Sequence, residues 1–66
     1  MELDTKKVQI IMAENLMSAK NLSEKSGLSV YGVNQILNKK TSATTLSIGK
    51  IAKGLNVPVT EIIKEN

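Results

Sequence analysis

Residues 18–38 read SAKNLSEKSGLSVYGVNQILN, and the fold turns on how this stretch divides. Ser18 is a favoured helix N-cap, because its hydroxyl can accept a hydrogen bond from one of the amides that a first turn leaves without a partner. The spacing predicts a short helix over Ala19–Ser26 that faces inward through Leu22, with small Ser23 beside it. Gly27 ends that helix, since glycine enters left-handed backbone conformations without a Cβ clash, and Leu28 then tucks inward as the chain reverses. Ser29 caps the next segment. There Val30, Val33, Ile36 and Leu37 fall three or four residues apart, so a second helix is expected from Val30 to about Asn38, with Asn38 as its left-handed stop.

Working outward, the same periodicity recurs on both sides. Val8, Ile11, Met12 and Leu16 mark an earlier helix over roughly residues 5–15, capped by Asp4 or Thr5 and stapled at its entry by Leu3. A polar loop covers residues 39–44. Leu46, Ile48, Ile51, Ala52 and Leu55 mark a further helix ending near Asn56, because Pro58 cannot continue it. Val59, Ile62 and Ile63 predict a short last helix. No strand pattern competes. The expected fold is all-α with five helices, and residues 1–66 form one domain.

Composition narrows the chemistry. With 66 residues the chain buries only about 60% of its unfolded surface, so stability should be modest. Cysteine and histidine are both absent, which removes disulfide staples and the usual zinc constellations; no cofactor and no metal are expected. The longest apolar run, around Ile10 to Ala13, is far short of the roughly 20 residues that span a bilayer. The amino terminus is acidic (Glu2, Asp4), unlike a secretion signal, so a complete cytoplasmic chain with no membrane partner is expected. The net charge of +3 permits a nucleic acid or an acidic partner without demanding either. Catalysis is not expected, because histidine and cysteine are missing for nucleophilic or general-base work and the acids show no inward clustering.

Two short helices around a tight glycine turn, with a polar stripe on the second, form a helix-turn-helix pattern. The segment MAENLMSAKNLSEKSGLSVYGVNQILNKKT, followed by LSIGKIAKGLNVPVTEII, resembles the Cro/cI-type family of phage repressors and small bacterial regulators over nearly the whole chain. Ser18, Leu22, Gly27, Ser29, Val33 and Ile36, with the later KIAKGLNV, carry the likeness. It implies a lambda-repressor-like DNA-binding domain in which helices 2 and 3 form the reader and double-stranded DNA is the partner. Helix 3 would then enter the major groove with Val30, Tyr31, Asn34 and Gln35 toward the bases. Asn and Gln amides suit the adenine edge, and Val30 or the Tyr31 ring suits a thymine methyl, so the implied operator leans A·T-rich. The absence of arginine removes the commonest bidentate contact to guanine. Backbone contacts are implied at Ser18, Ala19, Ser29, Gly32, Lys39, Lys40, Thr41 and Ser42. Gly32, without a Cβ, would let a phosphate or helix 2 approach closely; the plainer readings are that the Tyr31 ring packs partly over neighbouring aliphatics and that Gly32 merely avoids a clash between the two helices.

The chain departs from the family pattern in two places. Ala19 stands where many members carry a phosphate-contacting glutamine. Met12 and Leu37 stand where many carry a paired arginine and glutamate, and the joint change is coherent because packed apolar residues can replace a buried ion pair without loss. Met12 and Leu37 should therefore touch in the core.

One reader covers only about four or five base pairs, so a homodimer on a palindromic operator is expected, with half-sites about 34 Å apart. Its candidate surface is Val57, Pro58, Val59, Ile62 and Ile63, unless these residues close the core instead. Repression by occlusion is the simplest mode of action, with no small-molecule ligand evident. The rival reading is a protein-binding module, antitoxin-like or antirepressor, in which DNA binding is secondary or lost.

Overall fold

The computed structural model describes residues 1–65. Four α-helices, α1 (Thr5–Glu14), α2 (Ala19–Ser26), α3 (Val30–Leu37) and α4 (Thr45–Leu55), are followed by a single 3-10 turn at Val59–Glu61. Each α-helix starts on a side-chain cap: Asp4, Ser18, Ser29 and Thr44 all accept hydrogen bonds from first-turn amides. Such caps matter in helices of eight to eleven residues, which are too short to be stable alone.

The expected fifth helix is corrected to that one 3-10 turn. After it the chain runs back along the amino terminus. The Asp4 amide donates to the Ile62 carbonyl at 2.8 Å and the Lys64 amide to the Glu2 carbonyl at 2.9 Å, framing an isolated antiparallel bridge between Leu3 and Ile63. This pairing satisfies backbone groups of both segments, which a continued helix after Pro58 would leave to other partners.

All four α-helices stop on a left-handed residue. Gly27 (φ 83°) does so for α2, its amide donating to the Ser23 carbonyl at 2.9 Å. The other three are Leu16 (φ 52°), Lys39 (φ 59°) and Asn56 (φ 59°). At the end of α3 the Lys39 and Lys40 amides donate to the carbonyls of Ile36 (3.0 Å) and Gln35 (2.9 Å), the paired closure of a Schellman motif. Asn38 was the expected stop, but its φ is −88° and its amide still makes the helical bond to Asn34. The reversal falls one residue later, on a lysine.

Leu22, Ile48, Ile51, Ile62, Val8 and Val33 are the largest fully buried side chains. Helix α2 packs chiefly on α4. The approach is closest at Gly54, where an added Cβ would lie 3.1 Å from Leu22 Cδ1 and 3.1 Å from the Ser26 backbone nitrogen. Met12 is buried and Leu37 is half-buried against the same apolar cluster, so neither points into solvent. Two expected inward residues are exposed instead. Leu16 (92%) lies beyond the end of α1, and Leu46 (69%) lies across α4 from the face formed by Ile48, Ile51, Ala52 and Leu55. Among the described residues, no helix is long and apolar enough to cross a membrane.

Candidate nucleic-acid interface

Helices α2 and α3 meet at a turn held by side-chain oxygens as well as by backbone conformation. The Leu28 amide donates to Ser26 Oγ at 3.2 Å, and the Ser23 hydroxyl donates to the Leu28 carbonyl. Both polar groups of a single turn residue are thereby tied to α2, while its half-buried side chain packs on the core. This fixes how α3 leaves α2. Sequence reading treated Ser23 only as a small neighbour of Leu22, because its partner lies outside the helix that predicts it.

From that turn α3 projects two opposed faces. Val33 and Ile36 are buried, and Leu37 is half-buried beside them. At about 100° per residue, Val30, Asn34, Tyr31 and Gln35 fall within an arc of about 140° on the other side. Tyr31 is 74% exposed, Val30 and Asn34 are also exposed, and Gln35 is half-buried. The plainer reading of Tyr31, a ring packed over aliphatics, does not fit that exposure. The core has no use for this face, and its groups are two amides, a phenol and a branched aliphatic.

Backbone amides at the helix starts are partly committed. Ser18 Oγ accepts from the Asn21 amide at 3.1 Å while the Ser18 amide donates to Asn21 Oδ1 at 2.9 Å, a reciprocal capping box. Sequence reading missed Asn21, whose role follows from its place three residues after the cap. The amide of Ala19, whose side chain is half-buried against the core, takes no part in that box. In α3, Ser29 Oγ accepts from the Gly32 amide at 2.9 Å, which commits that amide while the Ser29 hydroxyl keeps its own hydrogen to donate.

Gly32 is not where α2 comes close. An added Cβ there would meet only Ser29 Oγ, at 3.1 Å. The glycine demanded by the approach of the helices is Gly54, which the sequence shows only as one letter of KIAKGLNV.

Lys39, Lys40, Thr41 and Ser42 are all exposed in the loop after α3. Lys40 and Thr41 direct their amides back to the Gln35 carbonyl, leaving their side chains outside the helix closure. Neither lysine is in an ion pair among the described residues. Beyond these, the expected dimer surface loses one member: Ile62 is fully buried and closes the core, and Ile63 is half-buried in the bridge to Leu3. Val57, Pro58 and Val59 line an open groove with Ala52, Lys53 and Asn56 of the α4 end. Among the described residues no three carboxylate, histidine or cysteine side chains are grouped to hold a metal ion.

A family model described as Helix-turn-helix (HTH_3) matches residues 8–62, which takes in all of α2, α3 and α4 and most of α1. No curated protein and no solved structure matches the chain.

Proposed function

Because the chain belongs to the Cro/cI-type helix-turn-helix family, a family of DNA-binding domains that regulate transcription and are typically non-enzymatic, we propose that it is a sequence-specific repressor. It reads the major groove of double-stranded DNA through α3 and occludes a promoter as a homodimer on a palindromic operator. The observation that carries this reading is the outward face of α3: Val30, Tyr31, Asn34 and Gln35 are displayed opposite the buried Val33 and Ile36. Asn34 and Gln35 supply the donor-acceptor pairs that match adenine, and Val30 and Tyr31 supply apolar surface for thymine methyls. Lys39, Lys40, Thr41 and Ser42 take the flanking phosphates, together with the first amides of α2 and α3 at Ala19 and Val30. The groove bordered by Val57, Pro58 and Val59 is the dimer contact.

A second reading rests on the exposed leucines. Leu16 and Leu46 are apolar side chains that the core leaves uncovered, and a protein-binding module would cover them with its partner.

Selection from a random duplex library near physiological salt separates the two. An enriched A·T-leaning palindrome with half-sites one helical turn apart supports the dimeric repressor. Absence of any enrichment overturns it in favour of the protein-binding module. If a dimer neutralises about six phosphates, affinity for the enriched duplex falls roughly a thousandfold between 50 and 200 mM salt.

A further inference from the structure

A pocket of about 360 Å³ opens between three segments distant in sequence: residues 1–3, the loop after α3, and Lys64. Its volume sits at the small end of the range for ligand sites, roughly 300–1,000 Å³. Leu3, Ile36 and Ala43 supply its apolar lining, and Lys39, Lys64 and Glu2 its charge. Lys64 Nζ lies 3.5 Å from Glu2 Oε2, whereas Lys39 has no carboxylate partner among the described residues. With the Met1 amino group, the Lys39 and Lys64 ammonium groups outnumber the one Glu2 carboxylate and leave a net positive charge beside an apolar surface. A dication or a bare cation has no counterpart there. A small carboxylate does, with its head on the ammonium groups and its hydrocarbon chain on the apolar lining.

We propose that this pocket binds a medium-chain aliphatic carboxylate and that its occupation weakens DNA binding. The second part rests on the reading of the chain as a DNA-binding regulator. Coupling arises because Lys39 belongs both to the pocket and to the loop assigned to the phosphate backbone. A bound carboxylate neutralises Lys39 and removes one phosphate contact per protomer, which lowers affinity about fivefold for each protomer at physiological salt.

The test titrates the isotope-labelled chain with sodium octanoate and follows its backbone amides by NMR, first without DNA. Saturable shifts centred on Leu3, Ala43 and Lys64 are expected, and octylamine should not reproduce them. Glu2→Gln releases Lys64 and should tighten octanoate binding about threefold, whereas Lys64→Gln should weaken it by about the same factor. A purely structural role for the Glu2–Lys64 pair would move both variants in the same direction. Shifts that fail to saturate, appear equally with octylamine or ignore both substitutions overturn the proposal. Octanoate is then added to the protein on its selected duplex, where unchanged affinity overturns the coupling. A chain that binds octanoate at this pocket but retains no duplex upholds the ligand site and sinks the DNA reading. A chain that retains a duplex but shows no saturable shift does the reverse.

Discussion

Helix α2 touches α4 and α3 in different ways. Against α4 the contact is steric: Leu22 and Ser26 press on Gly54 so closely that one methyl group would not fit without displacing backbone. Toward α3 the relation is set by a hydrogen-bonded turn, after which half of α3 faces outward and serves no packing purpose. One side of the motif is fixed by volume, and the other is left free for chemistry. Substitutions on the two sides should therefore fail in different measurements.

The largest expected effect is on the packed side. Gly54→Ala should lower the unfolding free energy by about 2 kcal/mol, because overpacking against Leu22 and the Ser26 backbone outweighs the gain in helix propensity. Urea denaturation reads this directly, and an unchanged midpoint would mean that the helices separate freely. On the outward face, Asn34→Ala should leave the urea midpoint within about 0.5 kcal/mol. The same variant should cost about 2 kcal/mol of preference for adenine at its base pair, read by competition between duplexes. A loss of stability there would show that the face is not free.

Smaller effects sharpen the contrast. Lys39→Gly should raise stability by about 0.5 kcal/mol, since relief of the left-handed strain exceeds the added freedom of the unfolded chain. It should also weaken DNA binding and flatten the salt dependence by about one unit of slope for each protomer. Gly32→Ala should change stability by less than about 0.5 kcal/mol, because added helix propensity is offset by pressure on the Ser29 cap at 3.1 Å. Helix propensity by itself would give a gain in stability at that position.

These cases show where the sequence was informative. Local features were readable: Ser18, Gly27 and Ser29 act on neighbours within three or four residues, so their spacing already carries the bounds of α2 and the start of α3. The opposed faces of α3 follow from periodicity in the same way. Gly54 escaped notice because its reason is a contact with residues some thirty positions earlier, and a helical pattern holds no record of its neighbour's distance. Asn38 is expected as the stop from its intrinsic tolerance of the left-handed region, but the last helical bond to Asn34 moves the reversal along by one, to Lys39. The Leu3–Ile63 bridge was invisible for a related reason, since a single paired residue leaves no alternation to read. The carboxylate pocket combines all these difficulties, drawing its lining from both ends of the chain and the middle.

The Leu3–Ile63 bridge also decides how the molecule bears tension. Because Glu2 pairs with Lys64 and Asp4 with Ile62, both chain ends leave from the same end of the ladder. A pull applied to the two termini therefore acts as an unzipping load, opening the outer hydrogen bond before the inner one, at low force. A tether at either end would peel that seam open before straining α2 and α3.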